Sequence, residues 1–525
     1  MNKYLVLIIL VLLVSCEKLL FHEEEDAFMI LDKESEKLEL LNGIYYQLTR
    51  VHDENYFMTC LRAEDVNVYM NYSFHYDNQV NTVVGCTTSG GGNLDIGQYA
   101  DEIYIKLYRA ILNANKLIGQ LDEEQDAGII GEACFLRAYC YFKMARLFGR
   151  PPLVTDLDVD FVIHKPTYRE VYEQIETDLL KAIDLLPDNY AEARVPGETP
   201  NKGTARALLA EVYLAMAGYP VGDESKYAEA ARLAGEVIDQ SEYYNYALLD
   251  DLADLWNADY RHNPENVFGL FFSGETDETS NWIGANQITL YTDLQLWVDG
   301  RYNPEFKFFN DYPENYRKYT VYATGRYWPF TIEMPDGTYE FSLYFEKYNP
   351  LFNACNYIDG CKSLKWLDIK NYRREDQLER MTSYHNTNLT LYLLRYAHTL
   401  LTYAEAKARA GELDASCFEA VNRVRRRANK VDIYTPGEFD LPASLTNEQF
   451  IDSVVWERAW ELCNEPDGRW FDIIRLDLRT KLPENRYSID LPTPVSNAYL
   501  TDDWYFCRIP QHDRWINPNL EEEEQ

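Results

Sequence analysis

The side chains best suited to chemistry in this sequence are aromatic rings interleaved with amides, carboxylates and guanidinium groups. The run Val68-Tyr69-Met70-Asn71-Tyr72-Ser73-Phe74-His75-Tyr76-Asp77-Asn78 is one such stretch. Asn281-Trp282, Trp297 with Asp299, Arg301-Tyr302 and Arg326-Tyr327-Trp328 repeat the mixture. An aromatic face stacks on the C–H surface of a sugar ring while Asn, Asp and Arg hydrogen-bond to its hydroxyls. Together they give the mixed apolar and polar lining of a preformed ligand site. Tyr69, Tyr72, Tyr76, Asn78, Trp282, Trp297, Tyr302 and Trp328 are therefore the candidate ligand-binding residues. Each ring has an alternative use, as an anchor in a loop core or on a face against another protein, because interfaces also favour Trp and Tyr. The 42 tyrosines of the chain fit either use.

Catalytic patterns are missing from the sequence. It has no H-E-x-x-H, G-x-S-x-G or Walker A motif. Gly90-Gly91-Gly92 lacks the strand-then-helix setting of a dinucleotide loop. With 86 Asp and Glu residues some carboxylates must fall at glycosidase spacing by chance, so such a pair carries no information. The eight histidines form no cluster, and none of the ten cysteines has zinc-ligand spacing. The chain is read as a non-enzyme with no catalytic residue, no cofactor and no metal. The charge-dense segment Glu457 to Arg475 is expected to be architectural, with Glu457, Arg458, Glu461, Glu465, Arg469 and Asp472 forming a buried ion-pair network that fixes the last helices. The formal charge of −36 argues against nucleic acid as a partner and against docking on an anionic membrane through protein charge alone.

The first residues carry a separate message. An apolar run from Tyr4 to Val14 is too short to span a bilayer, which takes about 20 residues, and has the length of a signal-peptide core. It ends Leu13-Val14-Ser15-Cys16, which resembles a bacterial lipobox, with Cys16 as the lipidated first residue after removal of residues 1–15. Acyl chains there would contribute about 0.8 kcal/mol per buried methylene. Glu23-Glu24-Glu25-Asp26 is a solvated tether and also resembles acidic signals that send lipoproteins to the cell surface. Of the other nine cysteines at least one is unpaired; Cys355 with Cys361, and Cys60 with Cys86, are the candidate disulfides.

The expected scaffold is helical. Tyr104, Leu107, Tyr108, Ile111, Asn115 and Ile118 fall on one helical face, as do Phe135, Ala138, Tyr139 and Phe142 in a helix stopped at Gly149 before Pro151-Pro152. Tyr172, Ile175, Leu179, Ala182, Ile183 and Leu186 form a third stripe. Ala205, Leu208, Leu209, Val212 and Met216, then Tyr227, Ala230, Ala231, Ala234, Val237 and Ile238, make a helix-turn-helix unit of tetratricopeptide length. A second unit places Leu394, Ala397, Leu400, Leu401, Ala404 and Ala408 on one helix and Cys417, Phe418, Val421, Val424 and Ala428 on the next, capped by Asp414. Thr446-x-x-Gln449 reads as a capping box opening another helix. Helical periodicity fades over residues 50–100 and 245–390, which are rich in turn-forming and aromatic residues, apart from a short strand after Asn263-Pro264-Glu265-Asn266. The expected layout is a tether over residues 16–40 and one domain over 41–525. Its helical scaffold lies at about 101–240 and 391–480, and the two loop-rich blocks are the binding parts.

In order, Leu41-Asn42-Gly43-Ile44-Tyr45, Tyr108 to Leu121, Gly131 to Val154, Asn263 to Phe272, Leu394 to Arg409, Asn422-Arg423-Val424-Arg425, Glu457 to Arg475 and Ile509 to Leu520 resemble the SusD/RagB family of nutrient-binding lipoproteins across nearly the whole chain. The resemblance implies a mostly α fold of tetratricopeptide-like helix pairs, a SusD-like α-α superhelix carrying long irregular loops and a few short strands. It implies a lipid-anchored, surface-exposed protein of the outer membrane that binds oligosaccharide and delivers it to a SusC-type TonB-dependent transporter. One branch of the family carries peptides, which is the alternative cargo; a surface glycoside hydrolase is a third reading. Sugar-contacting loops vary within the family, so no ligand contact is carried over by motif.

Overall fold

The computed structural model describes residues 34–59, 63–68, 96–157, 162–273, 302–304, 306–323, 328–334, 337–343, 362–363, 365, 388–481 and 505–521. The chain divides into two units, Met1–Glu39 and Leu40–Gln525. Of the first, only the opening turns of α1 (Glu34–Thr59) are described; that helix begins inside the stretch expected to be tether and runs to Thr59, inside the first stretch expected to be loop.

In the second unit α1 places Leu41, Ile44, Leu48 and Val51 in the core, and α2 (Ile96–Gln120) buries Tyr104, Leu107, Ile111 and Asn115, with Tyr108 and Ile118 half-buried. Helix α3 (Glu123–Phe148) differs from the stripe its sequence suggests. Every residue from Ile130 to Ala145 is buried, because α2, α4 (Tyr168–Leu185) and the Phe268 ring all pack on it. Asp122 caps its first turn, accepting from the backbone N–H groups of Glu124 and Gln125. It ends at Gly149, whose φ of 72° and whose neighbours Tyr168 and Phe506, 3.0 and 3.1 Å from where a Cβ would stand, leave no room for a side chain.

Helices α5 (Lys202–Ala217) and α6 (Lys226–Asp239) form the first expected pair, and α9 (Tyr396–Arg409) with α10 (Ala415–Ala428) the second. Each helix from α2 to α6 packs on its sequence neighbour, and α9 packs on α6, so the stack continues across the intervening loop block. Asp414 caps α10, and Thr446 with Gln449 forms the capping box of α11 (Asn447–Glu461), as their spacing predicts. Helix α12 (Arg469–Arg475) follows, and α13 (Gln511–Ile516) lies near the end of the chain.

The loop block contributes α7 (Phe306–Asp311), α8 (Tyr316–Val321) and short strands in pairs. Strand β2 (Asn266–Leu270) is antiparallel to β8 (Leu391–Arg395), with two register irregularities, and so joins the beginning of the block to its end. Leu394 therefore lies in a strand, not on the helix expected to begin with it. A short wholly buried apolar run such as Leu391-Tyr392-Leu393-Leu394 has no period to distinguish the two. Strand β1 (Val66–Val68) pairs with β3 (Tyr302–Pro304), β4 (Tyr322–Ala323) with β7 (Lys362–Ser363), and β5 (Trp328–Met334) with β6 (Gly337–Leu343). No helix among the described residues is long and apolar enough to cross a membrane.

Candidate functional site

Glu457 and Glu461 stand one turn apart near the C-terminal end of α11, and Glu465 follows just beyond it. They meet cations from four other parts of the chain. Arg317 of α8 pairs with Glu457 at 2.7 Å and Glu461 at 2.9 Å. Arg395, at the end of β8, pairs with Glu265 at 2.7 Å, Glu461 at 2.9 Å and Glu465 at 2.7 Å. Arg427 of α10 pairs with Glu461 at 2.6 Å and with Glu265, and Lys365 pairs with Glu465 at 2.7 Å. Four buried cations thus face four buried carboxylates, with no side chain among the eight more than 4 % exposed, and the half-buried Arg425 adds a pair to Glu457 at 3.1 Å. Burial alone would raise the Glu461 carboxyl, but Arg427, Arg395 and Arg317 outweigh it and hold the group well below the usual carboxylate range. A balanced, multiply hydrogen-bonded set of this kind tolerates its desolvation; an unpaired member would not.

A second cluster lies alongside. Arg475 of α12 donates to both Glu405 oxygens at 2.7 Å, and Arg458 pairs with Asp472 and with Glu211 of α5, each at 3.3 Å. The charge-dense segment is therefore a buried network, as expected, but it reaches beyond the last helices. It also holds pieces of both loop-rich blocks: Arg469 pairs with Glu64, the Asn464 N–H donates to Asp65 at 2.7 Å, and the Tyr312 hydroxyl donates to the Trp460 carbonyl at 2.8 Å. Burial pushes the Asp65 carboxyl up to about 6.

The loop roots are tied to this network through Glu64 and Asp65. Val68 lies opposite Tyr302 in the β1–β3 ladder, so the described residues that adjoin Tyr69 and Arg301 in sequence are paired. Trp328 opens β5, opposite Leu343. The structure brings together the root of the 69–78 run and Tyr302; among the described residues Trp328 pairs with neither. Tyr69, Tyr72, Tyr76, Asn78, Trp282 and Trp297 lie outside the described residues, as do Cys16 and the cysteine pairs Cys60–Cys86 and Cys355–Cys361. Cys134, Cys140, Cys417 and Cys463 are free and buried, whereas Cys507 is disulfide-bonded, in a bond that neither expected pairing contains. No group of three or more His, Cys, Asp or Glu among the described residues could hold a metal ion. Sequence reasoning missed Glu64, Asp65, Arg317 and Lys365 as fixtures of the site, since nothing local distinguishes them from solvated surface charges.

Comparison with known proteins agrees with this architecture. Residues 22–214 match a SusD-like family model described as starch-binding associating with outer membrane, and residues 299–521 match the SusD family model. A SusD-like protein of Formosa agariphila is 28% identical over 400 residues, covering 71% of this chain and 70% of that protein. A SusD homologue from Bacteroides thetaiotaomicron has a similar solved structure, with a TM-score of 0.73 at 23% identity, covering 96% of this chain and 98% of the other. A structure solved with a xylogluco-oligosaccharide gives a TM-score of 0.69 at 19% identity, covering 93% and 98%.

Proposed function

The chain belongs to the SusD/RagB family, and from that premise we propose that it is a cell-surface lipoprotein of the outer membrane that binds oligosaccharide and passes it, unaltered, to a SusC-type TonB-dependent transporter. The observation that carries the reading is the Val68–Tyr302 register pair, which brings together the described ends that adjoin two aromatic-rich stretches of sequence, with Glu64 and Asp65 beside it tied to the buried ionic network. Aromatic rings on loops with fixed ends stack on pyranose faces with little ordering cost on binding. The candidate contacts are Tyr69, Tyr72, Tyr76, Asn78, Trp282, Trp297, Tyr302 and Trp328. The family's outer-membrane association and the xylogluco-oligosaccharide held by a protein of the same fold support the choice of cargo and place. Lipidation at Cys16 supplies the anchor in this reading.

The test is a glycan array followed by calorimetry on the mature protein, including xylogluco-oligosaccharides. At least one oligosaccharide should bind with micromolar to millimolar affinity, and Trp→Ala changes at Trp282, Trp297 and Trp328 should include at least one that weakens it tenfold. Peptide binding that survives all three changes would replace the sugar with peptide as cargo. New reducing ends released from a bound polysaccharide, and lost on one carboxylate substitution, would make the protein a hydrolase. Mass spectrometry of the membrane-extracted protein should find acyl chains on Cys16, and affinity purification should recover a β-barrel transporter.

A further inference from the structure

The turn between α11 and α12, Asn464-Glu465-Pro466-Asp467-Gly468-Arg469, meets parts of the molecule that are far apart in sequence. The Asp467 carboxylate accepts from the Tyr139 hydroxyl and from Lys143 Nζ, each at 2.6 Å, and both donors lie on the buried part of helix α3. Glu465 accepts from Lys365 Nζ at 2.7 Å. The Asn464 N–H donates to Asp65 Oδ2 at 2.7 Å, and Arg469 Nε donates to Glu64 Oε1 at 2.8 Å. Glu64 and Asp65 stand immediately before β1, and Lys365 stands two residues beyond β7. Lys365 is fixed twice over, since its Nζ also donates to the Glu461 carbonyl at 2.9 Å. The turn itself has one shape: Asn464 sits at φ 59°, and a Cβ on Gly468 would lie 2.3 Å from the Leu462 carbonyl oxygen.

The ladders at the loop roots cannot account for their own placement. Strands β1 and β3 share three register pairs, and β4 and β7 share two. Isolated two-stranded ladders of that length do not persist in water. Charge-assisted hydrogen bonds in a buried setting are the stronger and more directional constraint.

We propose that the turn Asn464–Arg469 is the positioning element of the binding loops: through Glu64–Arg469 and Lys365–Glu465 it fastens the roots at β1, β3 and β7 to the central helix α3. Lys365 and Glu64 are positioning residues that touch no cargo; this rests on the reading of those loops as the oligosaccharide site.

Hydrogen–deuterium exchange on the mature chain, with no sugar present, decides the placement. In Lys365→Met the amides of Tyr302, Asn303, Lys362 and Ser363 should exchange at least tenfold faster, while those of α5 and α6 stay unchanged. Lys365→Arg should restore most of the protection. Glu64→Gln, which keeps the shape of the side chain, should do the same at Val66–Val68 and serves if Lys365→Met does not fold. Faster exchange spread evenly over the helices, or no change at the strands in both variants, overturns the proposal. Because the measurement needs no cargo, a protein that binds no sugar would remove the glycan reading and leave this result standing. With the panel oligosaccharide that the unaltered chain holds most tightly, Lys365→Met should raise Kd at least tenfold and Lys365→Arg should recover it; an unchanged Kd also overturns the positioning role.

Discussion

At the scale of single residues, the buried charges set the chemistry of the molecule more than any exposed group does. Glu461 faces Arg317, Arg395 and Arg427 and is itself fully buried. Glu461→Gln leaves those three guanidinium groups facing too few carboxylates, and breaking a buried set in this way costs about 3–5 kcal/mol. Urea unfolding should show that loss, whereas Arg232→Ala, which breaks only surface pairs to Glu229 and Glu236, should change stability by less than about 0.5 kcal/mol. His398 gives a pH signature. Its Nδ1 accepts from the Arg395 N–H at 3.1 Å, and burial, with help from the Arg395 charge, lowers its pKa from 6.5 to about 4. The folded state therefore holds the neutral ring while the unfolded chain protonates it. Stability from this group is fully present above pH 6.5 and is lost as the pH falls through 4, by an amount on the order of 3 kcal/mol. His398→Gln should flatten that part of the stability profile in urea unfolding at successive pH values; a profile unchanged between pH 6.5 and 4 would show that the ring is not held neutral.

At the scale of elements, what was legible in the sequence is what local physics determines. The stripes of α4, α5 and α6, the stop at Gly149, and the caps at Asp414 and Thr446 each depend on residues within a turn or two of one another. Thr446→Ala removes the side-chain oxygen that accepts from the Gln449 N–H, and should cost about 1 kcal/mol in thermal unfolding. A result near zero would mean that α11 is held at that end by tertiary packing alone. Leu394 was illegible because a buried strand and a buried helix share one short apolar pattern. The all-round burial of α3 was illegible because the residues that cover it come from α2, α4 and β2. The site was legible only in kind. Aromatic and polar composition marks the loops, but the pairing of Val68 with Tyr302, and the choice of Glu465 by Lys365, are made by contacts between distant segments. Coulombic partners leave no periodic trace in a sequence.

At the scale of the whole molecule, the two kinds of charge respond oppositely to salt. The formal charge of −36 makes the folded surface repel itself, and that repulsion weakens as the Debye length shrinks to about 10 Å at 0.1 M ionic strength. The attractive pairs are placed where screening is least: the eight central side chains are at most 4 % exposed, and the two clusters approach the surface through half-buried partners such as Arg425, Arg409 and Glu211. Salt should therefore relieve more repulsion than it removes attraction. The thermal midpoint is expected to rise as sodium chloride goes from about 20 to about 200 mM, before specific ion effects enter. The Glu461→Gln variant should gain by a similar amount, since the interaction it loses was not screened in the first place. A midpoint that falls with salt would mean that exposed pairs such as Lys181 with Glu123 and Arg169 with Asp223 hold the fold, and that the buried network contributes little.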